Sequence, residues 1–149
     1  MKIFIGADHR GFELKDKIEA YLAKRNYPVE DVGALQYDKD DDSSKYAALA
    51  ALAVIGSDDK DPRGILICRS GNGMAMAANR FNGIRAAVAT TPEIAGLART
   101  DNDSNILCLS SELFGDNDNW QPIVDVWLDT KASRKARFIR RNKQLDNLS

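Results

Sequence analysis

Histidine occurs once in this chain, cysteine and tryptophan twice each and proline four times. No apolar run approaches the roughly 20 residues that a membrane-crossing helix needs, so no membrane role is expected. The acidic stretches 38–42 and 58–61 lack the glycine and terminal glutamate of a calcium loop at the required offsets. They read as solvated loops, and neither a metal nor a cofactor is expected. The first apolar run is short and stops at a glycine, without the longer core and cleavage site of a signal peptide, which points to a cytoplasmic address. In that setting Cys68 and Cys108, at the ends of separate apolar runs, read as thiols rather than as a disulfide. Charge of neither sign dominates: 21 basic and 22 acidic side chains leave a net charge of −1, which argues against a nucleic-acid partner.

What is present suits one soluble domain spanning residues 1–149, with 44% hydrophobic and 29% charged residues. Ile3 to Ile5 form an apolar run ending in "GADHRG", after which Leu14, Ile18, Tyr21 and Leu22 recur at helical spacing. "VEDVG" at 29–33 reads as a second strand, and an alanine-rich helix follows from Lys45 to Ile55. "GILIC" at 64–68, "IRAAVA" at 84–89 and "NILCLS" at 105–110 supply three more strands, with a short helix beginning at Pro92 between the last two. Trp120, Ile123, Val124, Trp127 and Leu128 mark the apolar face of another helix. Strands alternating with helices predict a doubly wound, Rossmann-like α/β fold: a five-stranded, mostly parallel sheet, helices on both faces and a C-terminal helix. Ligands of such sheets bind outside the carboxyl ends of the strands. Asp8, His9, Cys68 and the segment 101–105 follow strands or adjoin their ends, so they are expected to converge there.

The stretch "LICRSGNGMAMAANR", residues 66–80, takes an apolar run through a thiol and a glycine turn into a helix. A helix start offers unpaired N–H groups that favour an anion, and glycines admit a ligand close to the backbone. The turn fits neither a Walker loop nor the dinucleotide pattern, whose third glycine position is Met76 here. It is either an oxyanion or phosphate nest or a purely structural turn. Cys68, beside that turn and next to Arg69, is either an activated thiol or a small buried hydrophobe. Cys108, inside "ILCL", fits the second description better.

"GADHRGFELK", "CRSGNGMAMAANRFNGIRAAV" and "RTDNDSN", in that order and at these intervals, resemble the ribose-5-phosphate isomerase B family and its relatives, the galactose-6-phosphate isomerase subunits. The resemblance implies metal-free aldose–ketose isomerisation of a phosphorylated sugar. It also implies a homodimer or dimer of dimers with active sites shared across the interface. It assigns a general base to Cys68, moving a proton between C1 and C2 through an enediolate, and an oxyanion cradle to Ser70, Gly71, Asn72 and Gly73. Asp8 and His9 match a pair that contacts the substrate, with His9 also a catalytic candidate, and Asn102 matches another contact. Arg137 and Arg141, four apart, match a pair that reaches the phosphate of the neighbouring subunit's site.

Three positions depart from the family pattern. Asp101 stands where the family has a histidine credited with opening the furanose ring; it is the acid–base candidate there, although an ordinary carboxylate is a poor proton donor near neutrality. Ser43 and Ser44 replace a Tyr-Pro pair, removing an aromatic wall, and Glu112 replaces an arginine. Arg69, where the family has glycine, is a candidate to supply the lost phosphate contact. These departures leave open a different substrate, such as a tetrose 4-phosphate that needs no ring opening or a hexose phosphate. A non-catalytic sugar-phosphate-binding paralogue is a further alternative.

Overall fold

The computed structural model describes residues 1–148. Five strands, β1 (Lys2–Ala7), β2 (Val29–Gly33), β3 (Pro62–Cys68), β4 (Ala86–Val88) and β5 (Ile106–Ser110), form one sheet in the order β2-β1-β3-β5-β4. Every pairing is parallel, so the expected sheet is present and uniform in direction. Parallel neighbours require crossover connections, and helices supply them. These are α1 (Phe12–Lys24), α2 (Ser43–Ile55), α3 (Asn72–Ala78) and α4 (Pro92–Thr100), followed by α5 (Ser111–Phe114), α6 (Trp120–Asp129) and α7 (Ala136–Asp146).

The two-residue period of the strands divides their side chains between two cores. Ile3, Ile5, Ile65, Ile67, Leu107 and Leu109 pack with α1 and with Trp120, Ile123, Val124 and Trp127 of α6. Phe4, Leu66, Cys68, Ile106 and Cys108 face the other way, against the alanines of α2 and Met74, Ala75 and Ala78 of α3. Alanine lets these two helices lie close to the sheet and to each other. Cys68 thus lies at the carboxyl end of β3 on the α2/α3 face.

From β1 the chain winds out to β2 on one side and to β3 on the other. The crevice between β1 and β3 is therefore the topological switch point, where open parallel sheets hold their ligands. Ala7 pairs with Ile67 in the register, so the next residues, Asp8 just past β1 and Cys68 at the end of β3, follow side by side.

The C-terminal helix is held differently from the others. None of its residues is buried, and it is tied to the body through polar groups. Arg85 pairs with Asp146 at 2.6 Å, and Asn142 Nδ2 donates to the Asp101 carbonyl at 3.1 Å.

Candidate active site

Two glycines shape the crevice. Gly11 brings the loop after β1 down onto β3: a Cβ placed there would lie 2.4 Å from the Ile67 carbonyl oxygen. Gly71 turns the chain into α3 with φ +83, in the left-handed region that favours glycine. Its N–H donates to Cys68 Sγ at 3.2 Å. This bond fixes the sulfur at the mouth of the turn, between the end of β3 and the start of α3.

Asp8 is buried and turns its Oδ1 back on its own loop, accepting from the N–H groups of Arg10 at 3.0 Å and Gly11 at 3.2 Å. Burial pushes its carboxyl above the ordinary value, outweighing the Gly11 bond and the neighbouring His9. His9 is anchored through two atoms to one oxygen: its backbone N–H and its Nδ1 both meet Asp41 Oδ1, at 2.9 and 2.7 Å. The Tyr37 ring stands edge-on to the imidazole, with centroids 6.4 Å apart.

Asp41 corrects the reading of 38–42 as a solvated loop. Its side chain is only 4% exposed, and the loop folds inward to bring it to His9. The fully buried Lys15 holds the start of this loop, donating from Nζ to the Ala34 carbonyl and to Asp31. In the 58–61 stretch, Asp61 likewise forms two hydrogen bonds to the buried Arg63, so this loop too is partly structural. Asp8, His9 and Asp41 each offer a potential metal ligand, with the three atoms within 4.8 Å of one another. Asp8 Oδ1 already accepts from the backbone N–H groups of Arg10 and Gly11, and Asp41 Oδ1 from that of His9.

The glycine turn is less open than its sequence implies. Gly71's N–H is taken by the sulfur, and Asn72's N–H donates to Ser70 Oγ at 3.2 Å. Gly73, at the second helical position, has no intrahelical acceptor for its N–H. Ser43 at the start of α2 faces it, with its Oγ 3.4 Å from where a Gly73 Cβ would lie.

Arg69 does not reinforce Cys68. Its side chain is 64% exposed and its Nε donates to Glu112 Oε2 at 3.2 Å. The two residues read from the sequence as departures from the family pattern, Arg69 and Glu112, are therefore ion-paired partners. Cys68 and Cys108 are both free thiols, and burial pushes the Cys108 thiol up, far from a reactive thiolate.

The larger correction concerns Asp101 and Asn102. They lie between α4 and the start of β5, at the amino end of the sheet, whereas Cys68 pairs with Ser110 at the other end of that strand. The length of β5 alone separates the two regions by roughly 13 Å. Asp101 Oδ1 accepts from the Thr100 hydroxyl at 3.1 Å. Arg137 and Arg141 on α7 belong to this amino end, with their guanidinium groups over Phe138 at 4.8 and 5.9 Å. A single chain therefore gathers Asp8, His9, Cys68 and Ser70–Gly73 at the carboxyl end of the sheet, and leaves Asp101, Asn102, Arg137 and Arg141 at the opposite end.

Residues 3–145 match the family model described as Ribose/Galactose Isomerase. The chain is 42% identical to the probable ribose-5-phosphate isomerase B of Mycoplasma genitalium, covering 98% of this chain and 92% of that one. It is 43% identical to ribose-5-phosphate isomerase B of Escherichia coli, over 85% and 83% of the respective lengths. Among solved structures, ribose 5-phosphate isomerase B of Thermotoga maritima superposes with a TM-score of 0.90 at 39% identity, covering 99% of this chain and 98% of that one. The Mycoplasma genitalium enzyme with bound ribulose-5-phosphate gives 0.86 at 34% identity, covering 97% and 93%. With this fold and sequence likeness over nearly its whole length, the chain belongs to the ribose/galactose isomerase family.

Proposed function

We propose that this chain is an aldose–ketose isomerase that interconverts ribose 5-phosphate and ribulose 5-phosphate. The observation that carries the reading is the placement of Cys68 beside Asp8 and His9 at the β1/β3 switch point, in a chain of this family. In the proposed reaction the Cys68 thiolate removes the C2 proton of the open-chain aldose. The C2–H electron pair forms the C1=C2 double bond, and the former carbonyl oxygen at C1 carries the negative charge of the enediolate. The Gly73 N–H, left without an intrahelical acceptor at the start of α3, is the donor for that oxygen. The sulfur's proton then passes to C1, restoring the thiolate, while the C2 hydroxyl proton moves to the C1 oxygen, so that the C2 carbonyl and the C1 hydroxyl of the ketose form together. Asp8 holds substrate hydroxyls, and no metal takes part.

The same reading requires a second copy of the chain. Asn102, Arg137 and Arg141 reach a substrate at Cys68 only if another protomer presents them, because their own lie at the far end of the sheet. The outward face of α2 and α3, with Leu49, Leu52, Ile55 and Met76 exposed, begins beside the glycine turn and suits that contact. A two-fold packing that sets these helices antiparallel brings the amino end of one sheet to the carboxyl end of the other, completing two equal sites. The arginines then supply positive charge for the phosphate, which the acidic loop 38–42 of the same crevice does not.

Asp101 favours a second reading of the substrate. A tetrose 4-phosphate has its C4 oxygen blocked and cannot close a furanose, so a site without a ring-opening histidine handles it without penalty. Turnover of a panel of tetrose, pentose and hexose phosphates, beside a Cys68→Ala variant, tests both readings. Cys68-dependent turnover fastest on ribose 5-phosphate supports the first, and a clear preference for the tetrose supports the second. A folded protein with no turnover on any of them overturns the isomerase reading.

A further inference from the structure

None of the residues of α7 is buried, so apolar packing does not fix where its Arg137 and Arg141 stand. Polar bonds hold the helix instead. Just before it, the Ser133 N–H donates to the Thr100 carbonyl at 2.9 Å, and midway along it Asn142 Nδ2 donates to the Asp101 carbonyl. In its last turn Asp146 accepts from Arg85 Nη1 at 2.6 Å. A carboxylate in the last turn of a helix opposes the helix dipole, so Asp146 stabilises α7 only through that pair.

Arg85 is more than a surface partner for it. Its side chain is only 15% exposed. Its backbone is locked to Asn105, whose Oδ1 accepts the Arg85 N–H at 2.8 Å and whose own N–H donates back to the Arg85 carbonyl. The guanidinium directs its other donors at one segment: Nε at the Asn102 carbonyl, 2.9 Å away, and Nη2 at the Asp103 carbonyl, 3.1 Å away. Asp103 adopts φ +45, uncommon outside glycine, and Arg99 holds its carboxylate at 2.8 Å. One side chain thus joins Asn102 and α7, the two pieces that the proposed site takes from a second copy of the chain.

We propose that Arg85 is a positioning residue of that shared site: it ties Asn102 and α7 into one unit and so places Arg137 and Arg141 for the phosphate bound at the neighbouring copy. This rests on the two-copy isomerase reading above. Arginine suits the position because its planar fork meets two carbonyls and a carboxylate at once, which an ammonium does not. With the tie broken, α7 keeps Asn142 and its linker but samples other positions. Substrate then binds only the docked fraction, and binding refills that state.

Arg85→Met removes the fork, and Asp146→Asn removes only the link to α7, from a partly exposed position outside both cores. They should raise the KM for ribose 5-phosphate about tenfold and about threefold respectively, with kcat within about twofold, because apparent affinity falls with the docked fraction. Arg85→Lys should recover part of the loss, and the double variant should match Arg85→Met alone, because Asp146 acts through Arg85. A lower melting temperature without the KM change would mean a purely structural role and overturn the proposal. Mixed dimers locate the effect. When Cys68→Ala and Arg141→Ala chains are refolded together, the intact site takes its α7 from the Cys68→Ala chain. Arg85→Met added to that chain should raise the KM of the mixture, and added to the Arg141→Ala chain should leave it unchanged. An equal effect from either chain would overturn the proposal. An inactive parent mixture beside active wild type overturns the two-copy reading instead, and absent wild-type turnover overturns the isomerase reading. In both cases amide exchange along α7, expected to quicken in Arg85→Met, decides separately whether Arg85 holds the helix.

Discussion

The Gly71 N–H and the Cys68 sulfur, 3.2 Å apart, join the end of β3 to the start of α3 in one closed turn. Gly71 adopts φ +83, and a Cβ placed on it would lie 3.4 Å from the Leu109 carbonyl and from Val88, so the turn sits close against β5 and β4. A base that must return a proton to the neighbouring carbon of the same substrate gains from such a mount, since small misplacements are costly in rate.

Cys68→Ala is expected to remove turnover by a factor of at least ~10², within the range for loss of a general base. The side chain is small and lies at the edge of its core, so the variant should keep its fold, checked by circular dichroism and a thermal melt.

Gly71→Ala should cost about 1–2 kcal/mol, from the left-handed backbone alone. Gly11→Ala should cost more than Gly71→Ala, because its Cβ would lie 2.4 Å from the Ile67 backbone oxygen and the loop carrying Asp8 and His9 must move. Denaturant midpoints at unchanged m-values rank the two, and Gly11→Ala should also lose activity.

Acid stability carries a signature of Asp41. Its carboxyl is held below the ordinary value in the folded protein. The stability this contributes is fully present above the ordinary value of about 3.9 and is lost as pH falls through the lower native one. The stability difference between wild type and Asp41→Asn should therefore be level between about pH 5 and 6 and should narrow below about pH 4. Chemical denaturation at a series of pH values measures it; a difference that grows toward acid contradicts the assignment.

The shared site predicts complementation. Cys68→Ala and Arg141→Ala, each weakly active or inactive alone, should regain activity when refolded together, because one site of the mixed dimer holds both intact halves. Equal mixing with random pairing gives roughly half the protein as mixed dimer and one good site in each. A mixture no more active than its parents would place both residues in one protomer's site.

The sheet was legible because its strands are apolar runs cut by glycines, and each intervening helix carries its period openly; "VEDVG" is β2 to the residue. The strand expected over 84–89 shortens to Ala86–Val88 because Ile84 belongs to the turn that follows α3. The inward turn of Asp41 was not legible, since three consecutive aspartates look alike in a row and only the folded loop selects the one that meets His9. The expected convergence of 101–105 with Cys68 failed for a related reason. Adjacency to a strand does not say which end of the sheet a segment occupies, and Asn105 precedes β5 rather than following it. Pairing Arg69 with Glu112 required side-chain geometry that residues 43 positions apart do not announce.

The most direct measurement of the central claim is deuterium uptake from D2O during isomerisation of ribose 5-phosphate, followed by NMR at C1 of the ribulose product, for wild type and Cys68→Ala. Proton transfer by a single thiol exposed to solvent exchange predicts deuterium at C1 in the wild-type product and neither product nor exchange above background in the variant. Isomerisation and exchange that persist in Cys68→Ala at the wild-type rate would contradict the account.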